Sequence, residues 1–266
     1  MANRNAQGYF LGSNYAAGVG IAGNTVLTGT SQIPCLLEEL SISSTADDGI
    51  ITAIRLAGQN LFASNQSVPV KIFKAHSFAH KDSSSSLSVP IDRNQTFQVS
   101  ITNGAAAADY CYSVGTTPLI NPDGSEVLTT PDVNQLGSLL NYVFGFGGFQ
   151  AVAAGGGVTV FTATALRNCT LGKLLICNNA PTAFDQLADV SITSIQVNNI
   201  ELLSSAATEV MAAETLGVLS MIDLDDSLIA YDVELNSTVS ITVQNNNGAI
   251  GQNISLAAFC LPSFNE

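Results

Sequence analysis

The feature that most constrains this chain is that it repeats itself. Gly23-Asn24-Thr25-Val26-Leu27-Thr28-Gly29-Thr30 matches Gly157-Val158-Thr159-Val160-Phe161-Thr162-Ala163-Thr164 at an offset of 134, with five identities in eight. Ile51, Thr52, Ile54, Leu61 and Ser64 meet Ile192, Thr193, Ile195, Leu202 and Ser205 at an offset of 141. Asn94–Ile101 aligns with Asn236–Val243 at 142, and Tyr110-Cys111 with Phe259-Cys260 at 149. Order is kept while the offset grows in small steps, which is how loop insertions separate two copies of one duplicated domain.

Each copy reads as β-structure. Leu87, Val89 and Ile91 alternate with Ser88, Pro90 and Asp92, and Val239, Ile241 and Val243 alternate with Ser240, Thr242 and Gln244. That period of two belongs to strands with one buried face. Gly, Asn, Asp and Ser clusters interrupt the strands at about ten-residue spacing, as in an antiparallel sandwich rather than βαβ units. Between the copies, Thr117–Leu136 holds Pro118, Pro122, Asp123-Gly124 and Pro131, the composition of a connection. The expected architecture is all-β: two tandem eight-stranded antiparallel jelly-roll sandwiches, each with one short helix. Their bounds are 1–120, with an uncharged N-terminal arm, and 135–266, joined by a linker over 121–134. The helices are expected from Pro69 towards His80 and over Thr208–Ile222, where Val210, Met211, Leu216, Leu219 and Met221 are apolar and Glu209 and Glu214 suit a helix start.

Charge narrows the function. Only 11% of the 266 residues are Asp, Glu, Lys or Arg, against about 25% in an ordinary soluble domain. With 46% hydrophobic residues the chain can bury a core, yet too few charges remain to cover a typical monomer surface. Much of that surface is therefore expected to lie against other subunits, with Ser, Thr, Asn and Gln covering the rest. The net charge of −13 repels phosphate, so sequence-specific nucleic-acid binding is not expected, and Lys71, Lys74, Lys81 and Arg93 are too sparse for a basic footprint. Residues 1–134 carry six bases against ten acids and residues 135–266 two against eleven. Bases of the first copy are accordingly expected to face acids of the second on a neighbour.

Both copies open with a long uncharged run, between Arg4 and Glu38 and between Asp132 and Arg167. Their glycines and Val-Thr alternation suit arms and edge strands better than a membrane helix. The N-terminus lacks the basic and apolar regions of a secretion signal. Cys35, Cys111, Cys169, Cys177 and Cys260 are odd in number and without CxxC spacing, as reduced core thiols are.

Motifs for chemistry are thin. Gly18-Val19-Gly20-Ile21-Ala22-Gly23 fits GxGxxG, but a strand rather than a helix is expected after it, so a dinucleotide site does not follow. His76 and His80, the only histidines, would share one helix face, and Asp223 and Asp225 offer hard oxygens. These four are the nearest candidates for metal ligands. Without a third ligand beside the histidines or an EF-hand spacing, they read as solvated groups, and the acidic pairs, Asp47-Asp48 included, as loop tips. No GxSxG or HExxH is present. No catalytic residue, cofactor or resident metal is expected, and a cupin-type enzyme would want a histidine cluster that two histidines do not make.

The paired segments Gly23–Thr30 with Gly157–Thr164, Ile51–Ser64 with Ile192–Ser205, and Asn94–Asn103 with Asn236–Asn245 give the chain its likeness to a known architecture. It resembles the double jelly-roll major capsid proteins of tailless icosahedral, membrane-containing phages, the lineage that extends to the adenovirus hexon. The resemblance implies a non-enzymatic structural protein of the virion, assembled in the host cytoplasm. It implies a homotrimer whose six jelly rolls form a pseudo-hexagonal tile, neighbouring capsomers and a penton protein as partners, and an internal viral membrane facing one end of the tile. The alternative is a duplicated β-sandwich adhesin or carbohydrate-binding module of a cell surface.

Overall fold

The computed structural model describes residues 9–11, 15–46, 48–73, 86–119, 142–178, 189–202, 208–209, 219–222 and 231–262. In the first half the strands are β1 (Tyr9–Leu11), β2 (Tyr15–Val19), β3 (Asn24–Thr30), β4 (Cys35–Ser44), β5 (Ile50–Leu56), β6 (Gln59–Asn60), β7 (Val68–Pro69), β8 (Ser86–Ile91), β9 (Thr96–Thr102) and β10 (Ala108–Pro118). The second half holds β11 (Tyr142–Gly145), β12 (Gln150–Val152), β13 (Gly157–Thr164), β14 (Cys169–Asn178), β15 (Val190–Val197), β16 (Ile200–Glu201), β17 (Thr208–Glu209), β18 (Leu219–Ile222), β19 (Tyr231–Val233), β20 (Thr238–Asn245) and β21 (Gln252–Pro262).

These strands make four antiparallel sheets, two in each half. The first half pairs β1 and β2 with β10, then β4, then β8, and packs that sheet on β3–β9–β5 with β6 and β7 on the far border. The second half repeats the order, with β11 and β12 on β21, then β14, then β18 and β19, against β13–β20–β15 with β16 and β17. Lettered B to I in chain order, each half is a B–I–D–G sheet on a C–H–E–F sheet, which is the jelly roll. Alternation sets the core. Phe97, Val99 and Ile101 of β9, like Val239, Ile241 and Val243 of β20, point inward and are buried, while their neighbours point out.

The repeat in the sequence marks the turns as much as the strands. Ala57-Gly58 and Asn198-Asn199 are equivalent, and all four have positive φ. They close hairpins between Leu56 and Gln59 and between Val197 and Ile200, where a two-residue type I′ turn requires that conformation. Asn94 and Asn236, at φ of 65° and 67°, start the turn into strand H. Asparagine is one of the few side chains that tolerates this region. At the other end of strand H, Asn103 and Asn245 are buried. Asn103 Nδ2 donates to the carbonyls of Val19, Gly20 and Ala106 at 2.7, 2.9 and 2.8 Å. Asn245 Nδ2 donates to those of Val152 and Ile250 at 3.3 and 2.8 Å. One asparagine per half thus ties loop H–I to strand B, which explains why both ends of the strand recur in sequence.

The ladders correct one sequence match. Pro118 stands opposite Cys35, and Pro262 opposite Cys169, so the equivalent of Cys260 is Thr116 and not Cys111. The Tyr110-Cys111 and Phe259-Cys260 pairs share strand I but sit five residues out of register.

The helices also differ from expectation. After Pro69 the chain makes one 3₁₀ turn, Val70–Phe73, with all four residues buried; residues 74–80 lie outside the described residues. Both described ends of 208–222 are strands. Thr208–Glu209 pairs with β15 and Leu219–Ile222 with Leu174–Cys177 of β14. The apolar spacing that fits a helix fits a ladder on β14 as well, and the tertiary partner decides. The uncharged run from 142 to 164 forms β11, β12 and β13, and among the described residues no helix is long and apolar enough to cross a membrane.

Candidate interaction surfaces

The halves dock on one another through residues 61–73 of the first. Val143 of β11 donates its N–H to Leu61 O at 2.9 Å and accepts from Ala63 N at 2.8 Å, in a parallel bridge centred on Phe62. The first half therefore lays a short strand along the outer edge of the second half's B–I–D–G sheet. Ser64, 2% exposed, closes the contact. Its Oγ donates to Gly145 O at 2.7 Å and accepts from Gly145 N at 2.8 Å. A Cβ on Gly145 would meet Ser67 O at 2.4 Å and Gln66 O at 2.8 Å, so only glycine fits here. Phe73 meets Phe259 edge to face at 6.1 Å, within the favourable range for aromatic pairs. The Arg167 guanidinium lies 4.1 Å from the centre of the Tyr142 ring, a cation–π contact within the second half, and donates across the junction to Asn60 O at 2.9 Å.

This docking leaves an asymmetry. On β21, Ile254 to Cys260 are all buried, because the sheet is covered on both faces. On the equivalent β10, Tyr110, Tyr112 and Val114 are buried while Cys111, Ser113 and Gly115 between them are half-exposed. Among the described residues, the second half's sheet has a sandwich against its back and the first half's has none.

Two more surfaces are neutral. On the outward face of β3 and β9, Val26 is 52% exposed beside Thr30, Gln98 and Ser100. On β13 and β20, Val158 and Val160 are 56% and 53% exposed beside Thr162, Ser240 and Thr242. Neither strand pair carries a charge, where roughly a quarter to a third of an ordinary surface does. Among the described residues β3 and β13 are also border strands, and they lack lysine, proline or charge, the devices that normally protect an edge. The turns at one end differ between the halves. Leu166, Ile200 and Leu235 are 47%, 56% and 52% exposed in the second, where the first has Gln32, Gln59 and Arg93.

Polar groups near the loops serve structure. Asp48, expected as a solvated tip, accepts from Ala105 N at 2.6 Å and presses on Gly104. Burial, with the Asp48 charge added, pushes Tyr110 up to about 12, and burial does the same to Tyr112. Gly18 N and the Tyr15 hydroxyl hold the Asp109 carboxyl below its usual range. Burial pushes the Cys35 thiol up, opposed by Ser31 and Thr116, whereas a hydrogen bond with Cys260, in the place of Thr116, draws Cys169 down. All five cysteines are free thiols. Gly18–Gly23 leads into β3, the strand expected there. His76, His80, Asp223 and Asp225 lie outside the described residues. Among the described residues no three His, Cys, Asp or Glu side chains stand together as metal ligands.

No family model matches this chain, and no curated protein matches it by sequence. Among solved structures it is similar to the major capsid protein P2 from bacteriophage PM2, at 12% identity over 97% of this chain and 99% of that one, with a TM-score of 0.46. It is also similar to PBCV-1 VP54, fitted into a reconstruction of the virophage Sputnik, at 7% identity over 97% and 94%, TM-score 0.44. A third is the STIV MCP, at 12% identity over 95% and 96%, TM-score 0.41. The jelly-roll order stands on the hydrogen-bonded ladders of this chain itself.

Proposed function

We propose that this chain is a non-enzymatic structural subunit that self-associates and tiles the shell of a virus, with its place in the virion. Two units, 1–120 and 135–266 joined across 121–134, would form a homotrimeric, pseudo-hexagonal capsomer, as the resemblance to double jelly-roll capsid proteins implies. One observation carries the reading. Inside the chain, one jelly roll already docks head to tail on its twin, through Leu61–Phe73 on the B–I–D–G sheet of the second half. A contact of unlike surfaces between like units leaves one of each surface uncovered, and it continues into further copies until a ring closes. Charge scarcity supports the same reading. A tile that buries several faces avoids the cost of desolvating isolated ions by lining those faces with Ser, Thr, Gln and Val.

Sedimentation of purified protein, with negative-stain microscopy, tests this. Closed rings of three chains that associate into larger curved sheets or shells are expected. A monomer at every concentration overturns the proposal. Trimer stability should also fall as salt rises, since bases of the first half are proposed to face acids of the second on a neighbour.

A further inference from the structure

We infer that neighbouring rings meet through unlike faces of this chain. The outward face of β3, β9 and β5 on one copy packs against the outward face of β13, β20 and β15 on a second copy, with Arg55 set against Glu201. This deepens the shell reading and rests on it.

The two faces lie on equivalent sheets, and both are exposed. Val26 on the first, and Val158 and Val160 on the second, are more than half exposed among Ser, Thr and Gln side chains. Aliphatic and neutral polar groups can leave water without an ion being stripped of its solvent, which suits a contact surface. In sequence, Arg55 is the one charged residue of β3, β5 and β9, and β13, β15 and β20 have none.

The charges differ at one equivalent pair. Arg55 stands opposite Asn60 beside the first E–F turn, and Gln196 opposite Glu201 beside the second. The offset of 141 that equates Ile54 with Ile195 also equates Arg55 with Gln196 and Asn60 with Glu201. One cross-strand pair thus holds a base in the first half and an acid in the second. Arg55 is exposed, on the outward side with Gln98, its ladder partner on β9. Glu201 is exposed too, and its carboxylate is held in place. Oε2 accepts from Gln196 Nε2 at 3.1 Å and from the Ser194 hydroxyl, and Oε1 accepts from Ile195 N at 3.0 Å.

These charges choose the partner. Two first-half faces packed together would gather arginines, and two second-half faces would gather carboxylates, both disfavoured across a contact. Only the mixed pairing joins opposite charges, and a second copy supplies it because every copy carries both faces. A contact of unlike faces runs on from ring to ring instead of stopping at a pair. Three strands of seven residues make a face about 14 Å by 24 Å, below the roughly 800 Å² per partner of a standard interface. The seam therefore holds where rings present several such faces at once.

Charge reversal tests this in the assembled protein. Rings of Arg55→Glu and rings of Glu201→Arg should each need about tenfold or more protein to associate in sedimentation. A chain carrying both changes should return to within about threefold of the original. Single variants that associate like the original overturn the seam and leave the shell reading standing. So does a double variant no better than the worse single, and so do single variants whose rings fall apart into monomers. An original chain that stays monomeric overturns both. Cross-linking is the second measurement. Rings of Arg55→Cys are mixed with rings of Glu201→Cys, allowed to associate and treated with a short bis-maleimide. A covalent dimer is expected from the mixture, and only the native-thiol background from each variant alone; its absence from associated rings overturns the seam.

Discussion

Replacing Ser64 by alanine should loosen the junction between the halves without touching either sandwich. The side chain is 2% exposed and its Oγ both donates to and accepts from the backbone of Gly145, at 2.7 and 2.8 Å. Alanine keeps the Cβ and opens a gap smaller than a water molecule, so the loss is electrostatic. Two backbone groups are left buried without a partner, each costing about 1–3 kcal/mol. The summed loss is about 3 kcal/mol, a fall of roughly 6–12 °C in the thermal midpoint for a chain of this size. Urea unfolding followed by circular dichroism measures it, with the slope against denaturant expected to hold. Gly145→Ala is the companion variant: it retains the serine but drives a Cβ against two backbone carbonyls, and overpacking of this kind costs about 1–3 kcal/mol. A loss below about 0.5 kcal/mol for Ser64→Ala, the range of ordinary surface changes, would refute the argument that this hydroxyl holds the two jelly rolls together.

Other variants probe the remaining features. Asn103→Ala should cost about 2–4 kcal/mol and Asn245→Ala about 1–3 kcal/mol, since a buried amide is lost together with its hydrogen bonds to three and two loop and strand carbonyls; equal and negligible losses in denaturant unfolding would contradict the assigned role. Tyr110 and Tyr112, raised to about 12 by burial, favour the folded state fully below pH 10, and that contribution is lost as pH rises through 12. It amounts to about 2–3 kcal/mol each. Tyrosinate absorbance should show Tyr110 and Tyr112 titrating late, together with unfolding; their ionisation near pH 10 in folded protein counts against it. Val158→Glu with Val160→Glu places charge on an exposed neutral face. Its thermal midpoint should hold while rings cease to associate in sedimentation, and shells that form as before would remove that face from the proposed contacts.

Much of the architecture was legible because the repeat falls on residues with backbone duties. Asn94, Asn103, Asn236 and Asn245 recur for their turns and buried amides, and Ile51–Leu56 and Ile192–Val197 recur because both strands line a core. What failed depended on partners that a single sequence does not display. Leu219–Ile222 has a helix-compatible pattern, and only its ladder with β14 makes it a strand. The match of Tyr110-Cys111 with Phe259-Cys260 kept the residue types and lost the register, which the proline–cysteine pairs set. The docking of Ser64 on Gly145 spans 81 residues and has no local signal beyond the recurrence of one serine. His76, His80, Asp223 and Asp225 lie outside the described residues, and their reading stays as it was made from sequence.

The covalent pairing of two jelly rolls has a consequence for arithmetic. Any closed ring made of whole chains contains an even number of sandwiches, so three chains make a ring of six sandwiches, but no number of chains makes a ring of five. A curved shell of such rings must also turn corners where five units meet. Under the proposed tiling those corners call for a separate protein contributing one sandwich at a time, able to meet the flanks of this chain without being built from it.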